Sequence, residues 1–466
     1  MGGKDYSHSG YYPQGLVRLS EGTGQYDNYV AGTQKWSKAL PNGAVATGGV
    51  AIGLFLSEIP VEPPAEPSDD DYGYEFFVGA DDGKVYCYRV NSGGIAAPMV
   101  FTVDDDPVWT YTCDGDPIGT PLLVTTGNTP ARAVYVSDTS GRLHCIDAET
   151  GDRIWRSADL TGQGETLTAP AHGGASIYVG SSAGHVYGFY RYYSGTPANQ
   201  DYKWDAETSG PVVSTPAVAF SLSEPGPQAE DEAYLYVTTE NARLELWEDE
   251  GSTVVRHWRW RDESETQECK SWAMLASATR VYFATYNAGN YKGRIYSVDP
   301  DSNNRWEDNP NGRVDQMRTT MVYPPQNYDI GKLVANMCND MADNANLYQG
   351  TLDTASGNGK PTLVRVLDLN PGESKAQGYV RVKMGGDADE ITSAPAIWRK
   401  NGETNWLYVI TTNGKYYVME PAGSTIPYGF PINLGKTIPR QDLAIDYDGA
   451  VVFTTSDGYV IARWGK

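Results

Sequence analysis

A hairpin that recurs along the chain constrains its fold more than any other feature. Each copy is an apolar or aromatic strand, a tight turn usually carrying Gly, and a second strand ending in an aromatic or aliphatic pair. FFVGADDGKVYCY starts at Phe76, AVYVSDTSGRLHCID at Ala133 and SIYVGSSAGHVYGF at Ser176. Looser copies start at Tyr234, Val281 and Asn346, and two clear ones at Leu407 and Val451 close the series. The turn residues Gly83, Gly141, Gly184, Ala242, Gly293, Gly359, Gly414 and Gly458 fall 43 to 66 residues apart. Such a period signals propeller blades rather than solenoid coils. One hairpin cannot cover both of its faces, so the copies must pack against one another around an axis. Eight copies predict an eight-bladed β-propeller, or seven blades if the loose sixth copy is not one.

Each hairpin is preceded by a segment of small residues: ATGGVAIGL at Ala46, GTPLLV at Gly119, TAPAHGG at Thr168, STPAVAF at Ser214 and TSAPAIW at Thr392. Strands that converge on an axis need small side chains. Each hairpin is followed by a segment containing Trp, at Trp109, Trp155, Trp204, Trp258 or Trp260, and Trp306. The blade is therefore a four-stranded antiparallel sheet. After the last hairpin the chain ends at Lys466 without a fourth strand, while AGTQKWSKALPNG from Ala31 reads like the outer-strand segment TGDRIWRSADLTG from Thr150. The strand around Trp36 is thus expected to complete the last blade and remove its free edge. Residues 1–30 form an N-terminal extension and 31–466 a single propeller domain in this reading. Growth by repetition also explains how 466 residues, with 51 Gly and 33 Tyr, make an all-β chain without helical periodicity.

A formal net charge of -23 opposes phosphate neutralisation and anionic membrane surfaces, so neither nucleic acid nor membrane insertion is expected. The five cysteines Cys87, Cys113, Cys145, Cys269 and Cys338 have no CxxC pair and no metal-ligand spacing with histidine. The N-terminus lacks the regions of a signal peptide, and the apolar run Ala44 to Leu56 is too short and Gly-rich to span a bilayer, which predicts a cytoplasmic protein as encoded, or one in a virion or other assembled surface.

In DAETGDRIW, the residues Asp147, Thr150, Gly151 and Trp155 match the Asp, Thr-Gly, Trp pattern of a tryptophan-docking repeat. The segment resembles the quinoprotein alcohol dehydrogenase-like, or PQQ-like repeat, propellers. The resemblance implies structural docking: Trp155, like Trp36 at the closure, packs flat between adjacent blades. That superfamily contains dehydrogenases using pyrroloquinoline quinone with Ca²⁺, and also members that bind no cofactor. Those dehydrogenases carry a disulfide between adjacent cysteines over the quinone, and no two cysteines here are adjacent. The expectation is a non-catalytic member with no cofactor and no metal.

The other candidate chemistry has a structural reading beside it. Asp299, Asp301 and Asn303 have alternate oxygen ligands, but Asn304 and Pro310 replace the Gly and Glu of an EF-hand loop, and the segment aligns with the outer-hairpin turn. His144, His172, His185 and His257 have no evident partner, and no GxSxG elbow or phosphate loop is present. Departures from the repeat carry more information, because binding residues sit on loops borne by rigid frames. Glu58 to Gly73 and Ser221 to Glu232 are Pro-containing acidic loops joining inner and second strands, and Tyr323 to Asn344 enlarges blade six. The expected function is a scaffold that binds a protein or glycan, in a larger assembly such as a virion or appendage surface. The alternative is an enzyme with its site at the axis, such as a quinone-dependent dehydrogenase, for which Thr120, Thr168, Thr215 and Asp446 are the polar candidates.

Overall fold

In a computed structural model of the chain, the described residues are 33–54, 73–92, 101–125, 132–160, 166–191, 199–212, 214–219, 232–240, 243–261, 274–277, 280–287, 292–298, 320–323, 332–340, 346–353, 360–367, 378–383, 389–391, 393–398, 406–420, 431–439, 441–446 and 449–464. Among them the backbone forms eight sheets of four or five strands, antiparallel except where Asn199–Gln200 joins Arg153–Ser157 in parallel, and one separate two-residue parallel pairing of Ser393–Ala394 with Gln441–Asp442. This is a β-propeller. The inner strands touch in a closed cycle: Ala51–Leu54, Pro117–Thr125, Ala171–Gly173, Ala217–Ala219, Met274–Ser277, Lys332–Asp340, Ala396–Trp398, Ala444–Ile445, and back to Ala51–Leu54. Among the described residues no helix is long and apolar enough to cross a membrane.

One local rule builds the hairpins. Gly141, Gly184, Gly414 and Gly458 all have φ between 70° and 88°, where a Cβ would be strained. Each donates its N–H to the carbonyl three residues earlier, at Asp138, Ser181, Thr411 and Thr455. The side chain of that earlier residue accepts the N–H of the residue after the Gly: Arg142 to Asp138, His185 to Ser181, Lys415 to Thr411 and Tyr459 to Thr455, at 3.0 to 3.3 Å. A polar residue three before a Gly therefore pins the register of the hairpin.

The outer strand obeys a second rule. Trp109, Trp155, Trp204 and Trp36 pair with Cys87, Cys145, Gly188 and Ala462, each four residues after a turn Gly. Trp258 pairs with Leu246, four after Ala242, so the backbone selects Trp258 over Trp260 for this position. Further on, Cys113, Leu160, Thr208, Leu434 and Leu40 each donate a backbone N–H to a turn Gly carbonyl, at Gly83, Gly141, Gly184, Gly414 and Gly458. Strand Gln34–Ala39 thus does for the last sheet what the local outer strand does for the others, pairing antiparallel with Tyr459–Arg463.

Small residues in the inner segments have a steric cause. A Cβ on Gly48 would lie 2.2 Å from the Gly119 carbonyl carbon, and one on Gly49 2.6 Å from the Asp442 oxygen. The expected insertion from Tyr323 to Asn344 is in part regular structure: Lys332–Asp340 is the inner strand of its sheet, and Thr320–Tyr323 ends the preceding one.

Candidate functional site

Among the described residues, several seams between neighbouring sheets hold buried carboxylates that collect donors from both sides. Asp446, in the turn after the last inner strand, accepts from Lys35 Nζ at 2.8 Å, the Tyr74 hydroxyl at 2.7 Å and the Ala450 N–H at 2.8 Å. The Lys35 ammonium also lies 3.8 Å from the Phe101 ring centre and 4.7 Å from that of Trp464. Asp249 accepts from Lys203 Nζ at 2.6 Å, Trp204 Nε1 at 2.9 Å, Tyr178 at 2.7 Å and Ser176 at 3.1 Å, tying the third sheet to the fourth. Glu75 receives Arg132 at 3.0 Å between the first and second sheets. Burial pushes the Glu75 carboxyl above its ordinary value, and Arg132 offsets this only in part.

Asp138, His144 and Asp114 bring possible ligand atoms within 4.8 Å of one another. Their polar atoms are engaged by donors of the protein itself. Asp138 Oδ2 accepts from His144 Nε2 at 2.8 Å and from the Asp114 and Gly115 N–H groups. Its Oδ1 accepts from the Ser140 N–H, the Ser140 hydroxyl and the Arg142 N–H. These six donors exceed the roughly four acceptor sites of a carboxylate. His144 Nδ1 lies 2.9 Å from the Tyr111 hydroxyl, and Asp114 holds Arg156 through both oxygens at 2.6 Å. Burial raises the Asp138 carboxyl, but hydrogen bonds from His144 and Ser140 outweigh it and bring it down to about 2. The cluster locks Tyr111, from the first sheet, to the second.

The docking residues take the following places. Asp147 Oδ1 accepts the N–H groups of Glu149 and Thr150, and Thr150 Oγ1 that of Asp152. Gly151, at φ +76°, lies so close under Trp109 that a Cβ would be 2.7 Å from the indole, and Trp109 Nε1 donates to the Ala148 carbonyl at 2.9 Å. The turn thus receives the indole of the preceding sheet. Trp155 is fully buried and stacks on Phe189 of the next sheet at 5.8 Å. Trp36 stacks on Phe76 at 5.2 Å and donates to the Tyr74 hydroxyl at 2.8 Å.

The axial candidates have separate hydrogen-bonding roles. Thr120 Oγ1 accepts the Gly49 N–H at 3.0 Å, and Thr168 Oγ1 that of Gly180 at 2.9 Å, so both hydroxyls serve neighbouring backbone. Thr215 is half-buried beside Ser214, whose hydroxyl lies 2.5 Å from that of Thr238. Asp446 lies in the closing seam described above. The described cysteines Cys87, Cys113 and Cys145 are separate, buried and free, and burial holds their thiols well above the ordinary range. They do not form the adjacent pair expected over a quinone, so these residues do not fit that cofactor.

Sequence reasoning missed Lys35, Glu75, Arg132, Asp138, Lys203 and Asp249 as seam residues. A signal existed in the repeated Lys-Trp pair, Lys35-Trp36 and Lys203-Trp204. The loops 58–72 and 221–231, the Asp299 to Asn303 segment, Trp306 and Cys269 lie outside the described residues.

Residues 101–191 match the family described as outer membrane protein assembly factor BamB, of the PQQ-like repeat type. No curated protein matches the sequence. BamB from Moraxella catarrhalis is 15% identical with a TM-score of 0.50, covering 90% of this chain and 100% of its own. Saccharomyces cerevisiae Sqt1 is 10% identical with a TM-score of 0.59, over 94% of this chain and all of its own. The computationally designed Ika8 protein is 13% identical with a TM-score of 0.52, over 91% of this chain and 98% of its own.

Proposed function

We propose that this chain, a β-propeller with PQQ-like repeats, is a protein-interaction scaffold. The observation that carries the reading is the match of residues 101–191 to a family described as an assembly factor. Those residues contain the Asp138 lock and the Asp147 turn, the parts that make adjacent sheets rigid against each other. The use of buried acids supports it further, because Asp138, Asp249 and Asp446 spend their carboxylates on joining sheets. The frame is rigid, and recognition falls to what it carries. The acidic segments Glu58 to Gly73 and Ser221 to Glu232 fall in sequence between the inner and second strands of their sheets. They are the proposed contact segments for a protein partner.

The test replaces 58–72 and 221–231, separately, by Gly-Ser segments of equal length in the full chain. Proteins retained from a lysate of the encoding organism are then quantified by mass spectrometry and the interaction rebuilt from purified components. The reading expects a partner bound by the unaltered chain and lost by at least one variant whose thermal unfolding is unchanged. An unaltered chain that retains nothing above background, or variants that bind as well as it does, would overturn it.

A further inference from the structure

The closing strand pairs with the far end of its own chain. Its ties to the ring come from one continuous segment. The Thr33 carbonyl accepts the Trp464 N–H at 2.9 Å, and the Leu40 N–H donates to Gly458 at 2.8 Å. Between them, Gln34–Ala39 pairs with Tyr459–Arg463, Lys35 Nζ enters the space among Asp446, Phe101 and Trp464, and Trp36 stacks on Phe76. Nothing in this set of contacts requires strand and ring to belong to the same molecule.

The connection to the rest of the chain is a short 3-10 turn, Pro41–Gly43. Asn42 within it sits at φ 54°, ψ 19°, and it is the one non-glycine residue with positive φ among the described residues. A left-handed Asn is strained relative to an extended one. Straightening this turn relieves that strain and carries Thr33–Leu40 away from its own ring as a unit. Short, strained hinges favour exchange of an identical element between copies. Charge does not choose between the two rings, because Lys35 and Lys38 meet the same groups in either, while the net charge of -23 on each copy makes exchange depend on high protein concentration and on salt that screens the repulsion.

We propose that the edge strand Tyr459–Arg463, with the pocket formed by Asp446, Phe101, Tyr74 and Trp464, is a strand-acceptor site whose partner is the Thr33–Leu40 segment of a second copy. Closure within one molecule and exchange between two then use the same bonds, and concentration decides between them, since the tethered strand has the advantage of effective concentration. The proposal stands independently of the contact segments proposed for a foreign partner.

Ser37 and Ile461 are cross-strand neighbours, which makes the exchange directly detectable. Full chains carrying only Ser37→Cys are mixed with full chains carrying only Ile461→Cys at high concentration, taken briefly through urea below the unfolding midpoint, and oxidised. A disulfide between the two engineered positions, identified by peptide mass spectrometry in a dimer of unlike chains, is the expected result. Folded variants that remain monomeric after this treatment overturn the proposal. As a second measurement without cysteines, mass photometry compares the unaltered chain with Asn42→Gly. Removing hinge strain should lower the dimer fraction by roughly fivefold, whereas a dimer equally abundant in both chains points to surface docking and rejects strand exchange.

Discussion

Lys35 and Asp446 are 411 residues apart in sequence and 2.8 Å apart in space, with both side chains fully shielded from solvent. A buried pair is expensive to break from one side, because the remaining charge keeps its desolvation cost. Asp446→Ala leaves the Lys35 ammonium among Phe101, Tyr74 and Trp464 without its carboxylate. The expected loss is about 3–5 kcal/mol. Lys35→Met combined with Asp446→Ala should cost less than Asp446→Ala alone, since no orphan charge remains. Urea unfolding of Lys35→Met, Asp446→Ala and the double variant checks this, and strictly additive losses would mean that the two residues are not coupled.

Closure also predicts where a damaged ring opens. Trp36→Ala removes the indole that stacks on Phe76 and bonds Tyr74, at a cost of about 3–5 kcal/mol. Hydrogen exchange should accelerate in Gly73–Ala80 and Tyr459–Arg463 together, although these strands lie near opposite ends of the chain. Trp155→Ala should instead loosen the second and third sheets, because its indole contacts Tyr135 and Phe189. Deleting residues 1–40 should act like Trp36→Ala, only more severely. Faster exchange confined to Gln34–Ala39 in Trp36→Ala, or to Tyr459–Arg463 in the deletion, would contradict the shared seam.

The parts of the fold legible in the sequence are those whose bonds are local. The turn Gly, the polar residue three before it and the outer-strand Trp recur within a few tens of residues, so hairpin and outer strand can be read from a single copy. Trp36 was legible too, because AGTQKWSKALPNG repeats a local pattern. The seams were not. Asp249 gathers Ser176 and Tyr178 from 73 and 71 residues away, and Asp446 gathers Tyr74 from 372. An acid whose donors are so distant looks like any turn acid. Thr120 and Thr168 looked like axial chemistry because hydroxyls recur there, yet Thr120 accepts a backbone N–H from the neighbouring inner segment at Gly49 and Thr168 one from the second strand of its own sheet at Gly180.

Gly151 and Gly435 separate backbone strain from steric fit. Both have positive φ, +76° and +64°. A Cβ on Gly435 meets nothing within 4 Å, while one on Gly151 falls 2.7 Å from Trp109. Gly435→Ala should therefore cost only the left-handed backbone, about 1–2 kcal/mol. Gly151→Ala should cost about 1–3 kcal/mol more, because the indole must leave its place against the turn. The difference in unfolding free energy measures tryptophan docking, and equal losses would show that Gly151 is needed for its backbone alone.

Asp138 and Glu75 predict opposite responses to acid. The Asp138 carboxyl is held down to about 2 when folded, below its free-chain value near 4, so it favours folding above that value and loses the contribution as pH falls toward 2. The Glu75 carboxyl is raised when folded, so its protonated form is the better fit; it favours folding in acid and loses the contribution as pH rises through its folded value. Asp138→Asn should accordingly flatten the fall in stability between about pH 4 and 2. Glu75→Gln should act at higher pH, between the raised folded value and the ordinary 4.5, where it removes the gain that the unaltered chain makes on protonation, so the variant compares less well with the unaltered chain at pH 4 than at pH 7. Urea midpoints at pH 7, 4 and 3 for the two variants and the unaltered chain make the comparison. A Glu75→Gln protein that resists acid better than the unaltered chain would mean that Arg132 outweighs burial at that seam.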